Sequence, residues 1–141
     1  MAVTATGFIT DAELKDAITA ALNKVEVDAL DSAIWTANIA RRNLGAYNQI
    51  VSAWVRAGFA LSNVQGWDLG PLYQENLALY ECLIKQNPNS EQVGEWRREL
   101  DYWRQQLKDL VEDEALIVGG ALVALAADPE LYELHTQNWN G

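Results

Sequence analysis

The sequence predicts a mainly α protein, a small bundle of about five helices followed by an extended C-terminal segment. Three observations carry this. Trp96, Leu100, Trp103, Leu107 and Leu110 follow one another at spacings of 4, 3, 4 and 3, which lays one apolar seam along a helix. Thr10-Asp11-Ala12-Glu13 is a capping box, in which hydroxyl and carboxylate satisfy each other's early backbone N–H groups. The chain has 141 residues, half of them apolar, and a single cysteine. That length has room for one domain with a real core, held by packing because no internal disulfide can form.

Taken in order, residues 1–9 read as a flexible arm, 10–114 as the helical unit and 115–141 as a C-terminal docking segment. The first helix follows the capping box, with Leu14, Ile18, Ala21 and Leu22 on one face, and ends near Lys24 before the β-branched Val25-Glu26-Val27. Asp28 or Asp31 caps a second helix striped by Leu30, Ile34, Ala37 and Ala40. Arg41-Arg42 then stand near its negative end, and Gly45 breaks it. A third helix starts near Ala46 and carries Tyr47, Ile50, Val51, Trp54, Val55 and Leu61, with Gly58 inside it.

Residues 62–70 read as a loop. Pro71 opens a fourth helix, where its missing N–H goes unnoticed, and Tyr73, Leu77, Tyr80, Leu83 and Ile84 supply the apolar face up to Lys85. Asn87-Pro88-Asn89-Ser90 is the clearest break in the chain. The fifth helix carries the seam from about Asn89 to Asp113, roughly 35 Å. A seam so regular must be covered, by this chain or by another subunit. After Glu112-Asp113-Glu114, residues 115–127 carry no polar side chain. They form either the last buried helix or a short β-hairpin around Gly119-Gly120, and at about 13 residues they are too short to span a bilayer. The tail beyond holds Leu131, Tyr132, Leu134, His135 and Trp139, a set that water leaves unsatisfied and a docking surface would cover.

Chemistry finds little to work with. One His and one Cys, His135 and Cys82, lie far apart in sequence, and a zinc site would need further ligands of those types. Glu112-Asp113-Glu114 lacks the glycine of a calcium loop, and no glycine-rich phosphate cradle precedes a Lys-Ser/Thr pair. The expectation is no enzyme, no cofactor and no metal. A net charge of −10 argues against wrapping nucleic acid, which requires a concentrated positive surface. In the pairs Arg41-Arg42 and Arg97-Arg98, adjacent residues point in different directions on a helix. One member of each is therefore available to a neighbour, and Arg42, Arg98, Trp103 and Leu107 are the expected subunit-interface residues.

The order of elements resembles the head–tail adaptor, or connector, proteins of tailed bacteriophages. Leu14 to Leu22 looks like that family's short opening helix. Asp31, Ile34 and Ala37 match its Asp-x-x-Leu/Ile-x-x-Ala start, in a stretch that runs on through Ile39, Arg42, Tyr47 and Ile50 to Trp54. Asn76-Leu77-Ala78-Leu79-Tyr80 is similar to its leucine-alanine-x-tyrosine helix, followed after Pro88 by the long helix with Tyr102 and Leu107. The resemblance covers residues 10–115 and rests on short apolar motifs.

It implies a virion protein, assembled in the host cytoplasm and placed at the head–tail interface. There about twelve copies would form a closed ring beneath the portal protein, receive the next neck or tail-completion protein, and surround the channel through which DNA is ejected without sequence-specific binding. It also implies that the C-terminal extension grips the portal, with Leu131, Tyr132, Leu134 and Trp139 as the partner-facing residues and no role for a membrane. The alternative is another neck or tail-completion protein, or a small helical interaction module with a different partner.

Overall fold

In the computed structural model, residues 7–22 and 32–126 are described, with side chains to residue 116. Five helices follow one another: α1 (Asp11–Ala21), α2 (Ala33–Arg56), α3 (Leu61–Gln65), α4 (Gly70–Gln86) and α5 (Val93–Ala126). The fold is mainly α, and no strand occurs among the described residues. No helix there is long and apolar enough to cross a membrane.

The capping box forms as expected. Glu13 N–H donates to Thr10 Oγ1 at 3.1 Å and Thr10 N–H donates to Glu13 Oε1 at 2.9 Å. The helix it starts stops at Ala21, with Leu22 already extended. Asp28, Asp31 and Leu30 lie outside the described residues. The cap of α2 is Ser32, whose Oγ accepts from Trp35 N–H.

The second and third predicted helices are one. α2 runs unbroken through Gly45, because Trp35, Ile39, Asn43, Ala46, Ile50 and Trp54 form one buried stripe across it. Packing of that stripe outweighs the roughly 1 kcal/mol that a glycine costs a helix interior. Gly58, expected within a helix, ends one. At φ +101° it is the left-handed residue after the C-cap. Gly58 N–H donates to Val55 O and Phe59 N–H to Trp54 O, the two reversed bonds of a Schellman motif. Phe59 then meets the Trp54 ring edge-on at 4.9 Å. The expected loop at 62–70 contains the short α3.

α4 is the central helix, packing on α1, α2 and α5, with Leu77, Ala78, Cys82 and Leu83 fully buried. Its neighbours meet it with Leu14 and Ile18 from α1, the α2 stripe, and Trp96, Leu100, Leu107 and Val111 from α5. α5 begins at Val93, a turn later than expected. It continues past Glu114 to Ala126, about 51 Å in all. Of the two readings of 115–127, the backbone takes the helical one through Ala126, and the hairpin is excluded there.

Gly7 to Ile9, expected in a flexible arm, belong to the core. Phe8 and Ile9 are buried, and Phe8 N–H donates to Gln74 Oε1 at 2.8 Å. Two glycines make room for this: Gly7 sits at φ +97° against Tyr47 and Gln74, and the Phe8 ring lies where a Cβ on Gly70 would stand. Gln74 and Asn43, both fully buried, close the network. Gln74 Nε2 donates to Asn43 Oδ1 at 2.7 Å, and Asn43 Nδ2 donates to Ile9 O and Asp11 Oδ1. Buried amides are tolerated where their donors and acceptors are met, and here they tie the start of the chain to α2 and α4.

Candidate functional site

The predicted interface residues divide. Leu107, at 5% exposure, sits in the chain's own core. Trp103 is half-buried, edge-on to Tyr73 at 5.3 Å. The 4-3-4-3 seam is therefore covered internally, by α4 above all. Leu107 is thus held within the chain's own core, while Trp103 keeps part of its ring at the surface.

Arg42 is also engaged within the chain. Its Nε donates to Asn38 Oδ1 at 3.3 Å, and its guanidinium lies 3.8 Å from Glu81. Arg98 remains exposed, beside a shallow hollow of about 370 Å³ with Glu95, Glu99 and the exposed Tyr102. Leu131, Tyr132, Leu134, His135 and Trp139 lie outside the described residues.

No group of three or more His, Cys, Asp or Glu suited to a metal occurs among the described residues. Cys82 is a core thiol. Burial pushes it up to about 12; Arg42 pulls in the other direction, while Glu81 and Asp11 add to the rise. A thiol held so firmly protonated is no nucleophile near neutral pH.

The surface feature that sequence reading missed lies between α2 and α5. Both pack on α4, and the later half of α2 and the middle of α5 flank an open groove of about 850 Å³. Ala53, Ala57, Leu107, Val111 and Ala115 make its apolar part, and Arg56, Arg104 and Lys108 stand along it. Three of the chain's ten cationic side chains thus share one groove on a chain of net charge −10.

Glu81 braces its near end. The Glu81 carboxylate accepts from Gln49 Nε2 at 2.7 Å and from Arg104 Nη2 at 3.1 Å. These links fix side chains rather than supply much stability, since partly exposed ion pairs contribute about 0–1 kcal/mol. Lys108 meets only the exposed Glu112, at 4.0 Å, and Arg56 has no ion-pair partner among the described residues.

A second hollow, about 510 Å³, is lined by Trp54, Phe59, Val64 and Trp67. The Trp54 Nε1–H is buried there without an acceptor among the described residues. It belongs to a run of ring contacts from Phe59 through Trp54, Trp67 and Tyr73 to Trp103, which stiffens the α3 corner.

Searches of protein-family models, of curated proteins and of solved structures returned no match to this chain.

Proposed function

We infer that this chain is a structural assembly protein, and specifically a ring-forming adaptor of a tailed bacteriophage. In that role it joins the portal to the neck or tail at the head–tail interface and surrounds the channel through which DNA is ejected. The observation that carries the reading is the overrun of α5. Among the described side chains, which end at residue 116, the last buried one in α5 is Val111; the helix backbone continues to Ala126 through a stretch of sequence without a polar side chain, and Leu131, Tyr132, Leu134 and Trp139 follow it in the sequence. An apolar stretch of sequence carried beyond the last described buried side chain calls for a covering surface, and a partner supplies one. The acidic balance, −10 overall, supports a channel wall that repels DNA and leaves it mobile.

Internal covering of the seam favours a second reading beside the first, a neck or tail-completion protein or helical interaction module with another partner. Such a unit needs no like neighbour along α5. Electron microscopy of the full-length chain incubated with portal rings from the same virus separates the two. The adaptor reading expects a closed ring of chains seated on the portal, lost when residues 128–141 are deleted. A chain that leaves the portal bare overturns it.

A further inference from the structure

We propose that the groove between α2 and α5 is the docking site for this chain's own residues 130–139, folded back from the end of α5. The groove offers an apolar strip, Ala53, Ala57, Leu107, Val111 and Ala115, with Arg56, Arg104 and Lys108 along it against one carboxylate, Glu112. The segment after α5 has the complementary composition. Asp128, Glu130 and Glu133 alternate with Leu131, Tyr132 and Leu134, and residues 127–141 contain no Lys or Arg. Opposite charges flanking a shared apolar contact set the register as well as the attraction.

Lengths agree. Ala126 lies about 16 Å along the helix axis beyond Ala115, and about 33 Å beyond Arg104. An extended chain advances about 3.3 Å per residue, so, counted from a reversal at Pro129, Leu134 reaches back about 16 Å and Trp139 about 33 Å. The reversal falls at Asp128-Pro129, a dipeptide suited to a turn. Leu134 then meets the groove at its Ala115 end, Gln137 lies near the level of Lys108, and Trp139 reaches that of Arg104. Charge selects the groove, and length lets the segment fill it from within the same molecule.

This inference concerns the lone chain and holds whichever partner the protein joins. If the adaptor reading is also right, the groove is where the tail rests before a partner takes it.

Cross-linking of the full-length protein tests it. A Ser52→Cys, Gln137→Cys variant places one thiol in the groove and one in the tail, and an Asp16→Cys, Gln137→Cys variant places the first on the exposed face of α1. Native Cys82 is buried and stays silent. Under mild oxidation the groove pair should close an intramolecular disulfide at least ten-fold faster than the control pair. Adding Arg56→Glu and Lys108→Glu, both exposed positions, should slow it at least five-fold, with circular dichroism confirming that each variant is folded. Equal rates for the two pairs, or indifference to charge reversal, would overturn the proposal. Cross-links between molecules would overturn it too, and would assign the groove to a second copy.

Discussion

Replacing Gln74 with leucine tests how the start of the chain is held. Gln74 is fully buried. Its Oε1 accepts from Phe8 N–H at 2.8 Å, and its Nε2 donates to Asn43 Oδ1 at 2.7 Å. Leucine fills most of the volume but meets neither group. One buried donor and one buried acceptor are then orphaned, at about 1–3 kcal/mol each. The added apolar surface offsets part of this, leaving a net loss of about 3 kcal/mol, a large share of the stability of a domain this size. Urea unfolding followed by tryptophan fluorescence should show the midpoint fall by about 1–2 M. Hydrogen exchange should show the Phe8 amide losing its protection, while α5 amides between 96 and 111 lose only what the drop in global stability takes from them. A midpoint shift below about 0.3 M with Phe8 still protected would refute the idea that the Asn43–Gln74 network anchors residues 7–9.

Four further outcomes follow from the packing. Gly70→Ala puts a Cβ where the Phe8 ring stands, 2.4 Å from its nearest atoms, and should destabilise by about 1–3 kcal/mol. Gly45→Ala, with nothing within 4 Å, should stabilise α2 by about 0.5–1 kcal/mol; a thermal shift of the opposite sign in either variant would contradict the environment described for that glycine. Leu107→Ala should lower the melting temperature, at a cost of about 2 kcal/mol or more, without altering native mass, whereas a changed mass at constant melting temperature would return Leu107 to an intermolecular contact. Finally, Cys82 ionises near 9.0 when free and is pushed up to about 12 in the fold. Between those values the unfolded chain has given up a proton that the folded chain keeps. Its contribution is therefore fully present below pH 9 and lost as pH rises toward 12, by at most about 4 kcal/mol. Tyr73 and Tyr80, both raised chiefly by burial, act in the same direction. Comparison with Cys82→Ala isolates the thiol: the variant's stability should fall less steeply across that window, and an identical slope would contradict a buried, protonated Cys82.

Legibility in the sequence followed the range of the forces involved. The capping box, Pro71 at the head of α4 and the Asn87–Ser90 break are decided by neighbours within four residues, and each stands where the pattern put it. The seam of α5 was legible as a seam, but what covers it depends on α4, whose place in the fold no local pattern reveals. Gly45 and Gly58 look alike in sequence and behave oppositely. The first lies within a continuous buried stripe interrupted to the eye by polar Asn43, and the second falls where that stripe ends. Nothing local marks Asn43 and Gln74 as buried, because each finds its partner 31 positions away. The abrupt change after Glu114 suggested a boundary; backbone hydrogen bonding is indifferent to side-chain polarity, so the helix carries on through it. The groove escaped notice for a related reason: Ala53, Ala57 and Ala115 form a site only once two helices bring them together.

The claim on which the account turns is that the segment beyond α5 joins this chain to a partner, while the bundle itself stands complete without one. Native mass spectrometry of the full chain and of a chain ending at residue 127, each mixed with portal rings, tests it most directly. The full chain should load the portal with a fixed number of copies, and the shortened chain should stay folded and unbound. Equal loading by both chains, or unfolding of the shortened one, would contradict the account.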